Sequence, residues 1–422
     1  MPITGGWSPR CRRDRMAEHS RAWVCCQLGA REHFMVPAAL HRRGVLSRLI
    51  TDAWLTPRSV LRAAAPRLRD RFHPGLDGCV TAFTRSAMAF ETREAVRGSS
   101  GWPHMLRRND WFQAKAIESL RQQDAGEIVL FSYSYAAQRL FAYARQRQWT
   151  TVMAQIDPGP EEERLVARLH AAHPGLEPGW QPAPEEYWRR WREEIDLADH
   201  IVVHSEWSRD ALARAGVKAE KLAVIPLAYE PPVEAAAFER TYPDRFTEDR
   251  PLRVLFLGQV ILRKGAAALL DAARELQHEP IEFIVAGPNA LNRNVERAPG
   301  RIKWIGSVPR GRAAAFYRDA DVFLFPTQSD GFGLTQLEAQ AWRLPVVATD
   351  RCGAVVRDGV NGRRLSEGSG AEIASVLRDL ARDPARLEAM SRSARVDQRH
   401  SPDQFAAALL DRVSSSTHAI EA

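Results

Sequence analysis

The sequence of 422 residues has no long hydrophobic run. No stretch approaches the roughly 18 consecutive apolar residues of a membrane-spanning helix, and the basic first thirty residues lack the apolar core of a signal peptide. We therefore expect a cytoplasmic protein. The net charge of +7 suits an anionic ligand or an anionic membrane surface, so peripheral contact with the inner face of a membrane stays open.

Cysteine is scarce, and its five positions show no metal-ligand spacing. Cys25 and Cys26 lie in an apolar run that is typical of a strand, which favours buried thiols in a reducing compartment. No histidine pair has the spacing of a zinc site. The triplet Asp-Ala-Asp at 319–321 precedes an apolar strand, whereas a metal-binding triplet would follow one, and we interpret it as a helix end. We expect neither a catalytic metal nor a cofactor.

Lysine supplies only five of the 59 basic residues, and the arginines are scattered along the chain. No helix-turn-helix, zinc-finger or aromatic RNA-binding pattern is present, so nucleic acid is not an expected partner. The turns LGAREH and LGQVIL lack the G-x-G-x-x-G spacing of nicotinamide-dependent oxidoreductases. The G-x-S-x-G elbow of serine hydrolases is absent as well.

The sequence does contain two series of short apolar strands that alternate with amphipathic helices. The first opens with a strand AWVCCQL, a helix AREHFMVPAALHRRG and a strand VLSRLITD, and the second opens with the strand RVLFLG. This alternation predicts parallel sheets covered on both faces, and the length predicts two domains. The fold class is thus α/β, with two Rossmann-like domains whose parallel sheets face a central cleft. The predicted division is a disordered basic leader at 1–21, a first domain at 22–230, a hinge at 231–251, a second domain at 252–395 and a C-terminal helix at 396–422. Met16 is an alternative start of the chain. Whether the C-terminal helix returns to the first domain is left open.

The stretch SDGFGLTQLEAQAW, residues 329–342, follows a predicted strand and begins a helix. Gly331 and Gly333 let the backbone approach a ligand without a Cβ atom in the way. The first amides of the helix, from Gly333 to Thr335, favour an anion such as phosphate. Glu338, one turn after Leu334, can reach the same region. Since a carboxylate repels phosphate, a ribose diol is a better partner for Glu338.

Two further strand ends carry candidate binding groups. The stretch LGQVILRKG places Arg263 and Lys264 where they can reach a diphosphate as cations. The stretch IKWIGSVP places Gly306 and Val308 where a flat base could bind without side-chain bulk.

The run from LGQVILRKG through IVAGPN and SDGFGLTQLEAQAW to RDGVNG resembles the donor-binding domain of the retaining glycosyltransferases of family four, which have the GT-B fold. The resemblance extends from about residue 197 to about residue 395 and is weak in the N-terminal half. It implies that Asp330 contacts the donor sugar and Glu338 the nucleotide ribose. Amides around Phe332, Gly333 and Leu334 would hold the sugar and the distal phosphate. Lys264 would bind the diphosphate, and Lys264, Asp330 and Glu338 are the candidate catalytic residues.

The sequence departs from the family pattern at three places. Asp330 stands where the family usually has the longer Glu, and Gln259 stands where it commonly has Arg, with Arg263 as a nearby replacement. In the first domain, AQIDPGP offers Asp157 where such enzymes often have a histidine near the transferred sugar. Gly29, at the end of the first strand, would face the donor phosphates, and His33 is a further candidate contributor.

The resemblance implies a metal-independent, retaining transferase of hexosyl type that uses a nucleotide sugar, UDP- or GDP-linked, as co-substrate. The first domain would hold the acceptor, a glycan or a lipid-linked molecule with a free hydroxyl. The arginine-rich segments 57–71 and 106–108 are candidates for binding an anionic or lipid-linked acceptor. Two alternatives stay open: a catalytically weak or regulatory protein of the same fold, and a nucleotide-sugar epimerase.

Overall fold

A computed structural model describes residues 21–59, 62, 68, 70–122 and 126–418. The predicted leader, including Met16, therefore lies outside the described residues except for Arg21, whose Nε donates to Glu127 Oε2 at 3.0 Å. The arginine-rich segment 57–71 is described only in part. Among the described residues, no helix is both long enough and apolar enough to cross a membrane.

In the described part of the chain, the first sheet has seven strands in the order β3-β2-β1-β4-β5-β6-β7. The pairs from β3 to β6 are all parallel. Its central strands are apolar and buried on both faces, because helices cover both sides of a parallel sheet. The strands are β1 (Ala22–Gln27), β2 (Leu46–Thr51), β3 (Val80–Ala82), β4 (Ile128–Tyr133), β5 (Thr150–Ala154), β6 (His200–Val203) and β7 (Leu222–Val224).

The structure gives the bounds of seven helices among the described residues of this part of the chain, and the sequence predicted only some of them. They are α1 (Met35–Arg42), α2 (Thr84–Val96), α3 (Gly101–Leu120), α4 (Gln138–Gln146), α5 (Pro160–Ala172), α6 (Glu185–Leu197) and α7 (Glu206–Arg214). The predicted start of α1 is wrong, because Glu32, His33 and Phe34 have left-handed φ angles of 47°, 59° and 63°. His33 therefore does not lie on a helical turn.

The second sheet has six strands in the order β10-β9-β8-β11-β12-β13, all paired in parallel. They are β8 (Leu252–Leu257), β9 (Ile281–Ala286), β10 (Ile302–Gly306), β11 (Val322–Phe325), β12 (Val346–Thr349) and β13 (Gly362–Leu365). The helices that follow are α8 (Ala266–Glu275), α9 (Arg310–Asp319), α10 (Thr335–Ala341), α11 (Gly370–Arg382), α12 (Pro384–Ser393) and α13 (Pro402–His418).

Alternate residues of β8 belong to two different cores. Val254 and Phe256 pack in one apolar cluster with residues of α8 and α11, and Leu255 packs in another with residues of α9 and α10. Side chains alternate between the two faces of a strand, so both faces of the second sheet are covered. The expected α/β class with two parallel-sheet, Rossmann-like halves is confirmed.

The chain divides into two compact units. The first contains residues up to 154, residues 183–202 and residues from 402, and the second contains residues 155–182 and 203–401. Within the first unit, α13 packs against α1. The proposed boundaries and the hinge at 231–251 stay predictions.

Candidate functional site

The loop after β8 and the loop after β11 are joined by hydrogen bonds in the second unit. The carbonyl of Arg263 accepts from the Gln328 amide at 2.8 Å and from Thr327 Oγ1 at 3.3 Å. A Cβ atom on Gly265, which has a φ of +82°, would lie 2.1 Å from the Pro326 carbonyl oxygen. Only glycine permits this approach, so Gly265 fixes the neighbouring Lys264 against the second loop.

Lys264 and Asp330 form an ion pair between these two loops. The Lys264 ammonium lies 5.3 Å from the centre of the Phe325 ring, and Asp330 Oδ1 accepts from the Phe332 amide at 3.3 Å. Burial acts to raise the pKa of Asp330, but the charges of Lys264 and Arg263 and the hydrogen bonds outweigh it and hold the pKa below its usual value. Asp330 is therefore a carboxylate in direct contact with the predicted diphosphate-binding lysine.

Arg263 connects the ion pair to a residue that sequence reasoning missed, Glu162 in the first turn of α5. Arg263 Nη1 donates to the Ser329 carbonyl at 2.8 Å and lies 3.6 Å from Glu162 Oε2. Burial acts to lower the pKa of Arg263, but the neighbouring carboxylates, first that of Glu162, outweigh it and raise the pKa. The guanidinium thus lies among carboxylates that keep it charged.

Glu162 is itself mostly buried, with only 13% of its side chain exposed. Burial raises the pKa of Glu162 to about 7, helped by Asp157 and opposed by Arg263. The local sequence PEEERLVARLHAA is that of an ordinary charged helix, so only the tertiary structure identifies this carboxyl group as part of the cluster.

Asp157 lies in the same unit and beside the same loop. Its Oδ1 accepts from Gln155 Nε2 at 3.0 Å and from the Gly159 amide at 2.9 Å. A Cβ atom on Gly331 would lie 2.2 Å from the Ile156 carbonyl oxygen, so the Asp157 segment packs directly on the glycine-rich loop. The structure therefore brings Asp157, Arg263, Lys264 and Asp330 together, with Glu162 as an addition.

Glu177 stabilises the loop after β8 through a hydrogen bond to its backbone. Its Oε2 accepts from the Leu262 amide at 2.8 Å, and only 10% of its side chain is exposed. This contact holds the turn Leu262–Lys264 by its backbone. No local pattern indicates it, because the two residues are 85 positions apart.

The glycine-rich loop presents its backbone rather than its side chains. Phe332 is buried in an apolar cluster, and a Cβ atom on Gly333, where φ is +83°, would lie 2.5 Å from the Phe325 ring. The amides of Gly333, Leu334 and Thr335 donate none of the backbone hydrogen bonds found for the described residues outside regular elements. These amides are therefore available to donate to a ligand, as the sequence predicted for this loop.

Glu338 has a different set of partners. Its Oε2 accepts from the hydroxyl of Tyr317 on α9 at 2.7 Å. Burial and then the Glu338 charge hold the pKa of Tyr317 well above its usual value, and burial followed by the same charge raises the pKa of Tyr229. Both phenols thus stay protonated, and that of Tyr317 donates to Glu338.

The remaining donor-site candidates lie at strand ends. Gln259 is exposed after Gly258. Gly306 ends β10 with a φ of +74°, and, apart from its chain neighbours, no described residue lies within 4 Å of the place that a Cβ atom would take there. Val308 is half-buried beside an apolar cluster. In the first unit, the Gly29 amide donates to Asp52 Oδ1 at 3.0 Å. The roles assigned to these residues and to His33 stay predictions.

The triplet at 319–321 contains a structural carboxylate. Asp321 is buried and accepts from Arg250 through two parallel hydrogen bonds of 2.6 and 2.7 Å, and it also accepts from the Arg253 amide at 2.8 Å. These contacts agree with the interpretation of the triplet as the boundary between a helix and a strand.

The titration of Glu162 makes the stability of the chain depend on pH. Because its pKa is raised to about 7 in the folded chain, the folded state binds more protons than the unfolded state between about pH 4.5 and 7. The free energy of unfolding should therefore fall as the pH rises through this window, by at most about 3 kcal/mol from this group. Chemical denaturation at pH 5 and pH 7 should show that the free energy of unfolding falls less between these two pH values in Glu162→Gln than in the wild type. Glu161→Gln, in the same helical turn, should behave like the wild type; equal pH dependence in all three would contradict the assignment.

Comparison with known proteins finds similarity to glycosyltransferases. A family model described as glycosyl transferases group 1 matches residues 251–383. A D-inositol 3-phosphate glycosyltransferase from Xylanimonas cellulosilytica is 30% identical over 410 residues, which cover 90% of this chain and 89% of the relative. The protein of the same name from Kribbella flavida is 27% identical over 224 residues, covering 47% and 52% of the two chains.

Solved structures share the whole fold. Anabaena HepE, in a complex with UDP and glucose, has a TM-score of 0.60 at 15% identity and covers 94% of this chain and 100% of its own. A point mutant of Staphylococcus aureus TarM, in a complex with fondaparinux, α-GlcNAc-glycerol and UDP, has a TM-score of 0.63 at 10% identity, and the match covers 93% of this chain and 99% of its own. These likenesses show the GT-B fold. The near-full-length relative and the family model show that this chain belongs to the glycosyl transferases group 1 family and is a glycosyltransferase.

Proposed function

We propose that the chain transfers a hexosyl group from a UDP-sugar to an acceptor hydroxyl, with retention of the anomeric configuration and without a metal ion. The observation that carries the proposal is the Lys264–Asp330 ion pair beside a loop of open backbone amides. The complexes of HepE with UDP-glucose and of TarM with UDP support UDP as the nucleotide. The family resemblance supports retention and metal independence.

Donor binding changes the partner of Lys264. Its ammonium neutralises Asp330 in the ion pair. Because a diphosphate carries more charge than a carboxylate, it replaces Asp330 as the partner when the donor binds. Asp330 is then released to accept hydrogen bonds from hydroxyls of the donor sugar. Arg263, held by the Ser329 carbonyl and Glu162, adds a second positive charge. This charge replaces that of the arginine that the family commonly has at the position of Gln259.

The chemistry follows the charge that develops. The bond from the anomeric carbon to the diphosphate breaks, and negative charge grows on the leaving oxygen near Lys264 and the amides of Gly333 and Leu334. Preorganised donors of this kind contribute several kcal/mol of transition-state stabilisation. A bond from the acceptor oxygen to the anomeric carbon forms on the same face, and the acceptor proton passes to the diphosphate. Glu338, oriented by Tyr317, accepts from the ribose diol.

A panel of nucleotide sugars tests the proposal. We expect UDP-sugars to raise the melting temperature and to be hydrolysed slowly, because water replaces the missing acceptor, while GDP-, ADP- and dTDP-sugars have smaller effects. An absence of both stabilisation and hydrolysis with every donor would refute the assignment. Stabilisation without turnover would favour a regulatory protein, and a changed sugar that is still attached to the nucleotide would favour an epimerase.

A further inference from the structure

The first unit contains a cluster of arginines around one buried carboxylate, Asp52, which directly follows β2. Asp52 is 2% exposed, and its Oδ1 accepts from the Gly29 amide and from Thr51 Oγ1 at 3.0 and 3.2 Å. Its other oxygen, Oδ2, lies 3.1 Å from Arg108 Nη2 and 3.5 Å from Arg71 Nη2. A single carboxylate therefore holds two guanidinium groups at the carboxyl edge of β1 and β2.

The surroundings of Arg71 stabilise its charge less well than water does. Burial lowers the pKa of Arg71, and the positive charges of Arg108 and Arg31 add to this effect. The opposing charges of Asp52 and Asp70 do not outweigh it. Positive charges held close together repel one another and attract anions, so this cluster favours the binding of an anion.

Arg71 has donor groups to spare. Only 16% of its side chain is exposed, yet its one ion pair in the described part of the chain is the 3.5 Å contact with Asp52, at the outer limit for a hydrogen bond. A Cβ atom on Gly29 would lie 2.6 Å from Arg71 Nη1, so the guanidinium lies directly on the backbone at the end of β1. Ligands of open α/β sheets bind at this edge.

We infer that Arg71 and Arg108 bind a phosphomonoester group of the acceptor. One Nη2 atom of each lies within 3.5 Å of the same Asp52 oxygen, so the two guanidinium forks converge, and the oxygens of one phosphate can accept from both. Asp52 orients the arginines and prevents their mutual repulsion from separating them, and Glu91 holds Arg108 at its Nε, at 3.2 Å. A carboxylate on the acceptor has fewer oxygens and less charge to offer to two forks. The inference rests on the proposed function only for the statement that the bound molecule is the acceptor.

Binding of glycerol 3-phosphate tests the site. With the full-length protein saturated with UDP, calorimetry should show binding of glycerol 3-phosphate and none of glycerol at the same concentration. Arg71→Met and Arg108→Met should each weaken this binding about tenfold or more, because each removes a charge-assisted contact. Arg93→Met, which changes an exposed arginine on α2, should bind like the wild type. Vesicles of phosphatidylcholine with and without phosphatidic acid test whether the phosphate belongs to a lipid.

The outcomes separate this inference from the proposed function. Arg71-dependent binding of glycerol 3-phosphate supports a soluble acceptor phosphate, and Arg71-dependent binding of phosphatidic acid vesicles alone supports a lipid phosphate. Binding of neither probe, or equal binding by Arg71→Met and Arg93→Met, would overturn the inference. UDP affinity, measured on the same variants, should be unchanged; a wild-type chain that binds no UDP would instead count against the proposed function.

Discussion

Lys264→Met is expected to lower kcat for a UDP-sugar by about 100- to 1,000-fold, as the loss of one preorganised donor to a developing oxyanion does in other enzymes. The side chain is placed by the turn Leu262–Lys264, whose backbone is held by Glu177 and by the Gln328 amide. The substitution leaves these contacts intact, so the loss arises from the ammonium group. Initial-rate measurements of donor hydrolysis and transfer give the value.

Lys303→Met is the matched control for this experiment. Lys303 is an exposed lysine on β10 in the same unit, and its removal changes the net charge equally, so the kcat of this variant should equal that of the wild type. Thermal denaturation should show that Lys264→Met stays folded, since Asp330 keeps the charge of Arg263 and the Phe332 amide as partners. A kcat within a few-fold of the wild type in the folded Lys264→Met variant would exclude the proposed role.

The local part of the candidate site was predictable from the sequence. Lys264 and Asp330 each follow a short apolar strand, and glycines mark both loops, so their placement at strand ends is a local property. Their direct contact follows from the pairing of β8 with β11, which a pattern of apolar runs does not specify. The family resemblance assigned both residues to one donor site, but it did not predict their direct contact.

Two of the carboxylates near Arg263, those of Glu162 and Glu177, were not predictable. Glu162 and Glu177 lie in a highly charged stretch that has no apolar strand signal, and their partners are 101 and 85 positions away in the sequence. The same applies to the Asp52 cluster, where Arg108 is 56 positions from its partner. Long-range ionic contacts have no sequence period, whereas the buried faces of helices and strands do.

The left-handed segment 32–34 shows a second limit. None of its three residues is glycine, the usual residue at positive φ, so the composition favoured a helix that begins earlier. Such backbone conformations cost free energy and persist where the surrounding structure imposes them. Here the surrounding structure includes the hydrogen bond from Tyr133 to Glu32, at 2.8 Å, which no local sequence pattern predicts.

Gly265→Ala is expected to destabilise the second unit by about 3 kcal/mol or more and to abolish turnover. The added methyl group would lie 2.1 Å from the Pro326 carbonyl oxygen, and a backbone with a φ of +82° adds about 1–2 kcal/mol for any residue with a Cβ atom. Relief requires the two loops to separate, which moves Lys264 away from Asp330. Chemical denaturation and donor hydrolysis measure the two effects.

Gly306→Ala separates the two causes of this destabilisation. Gly306 has a similar φ of +74°, but, apart from its chain neighbours, no residue in the described part of the chain lies within 4 Å of the added methyl position, so only the conformational cost remains. We expect Gly306→Ala to lose about 1–2 kcal/mol of unfolding free energy, and the difference between the two variants then measures the contact with Pro326. If both variants lost the same free energy, the close approach of the two loops would not be what requires glycine at 265. If Gly265→Ala instead kept full activity, the position of Lys264 would not depend on the close approach of Gly265 to Pro326. The contact between the two loops would then have no part in catalysis.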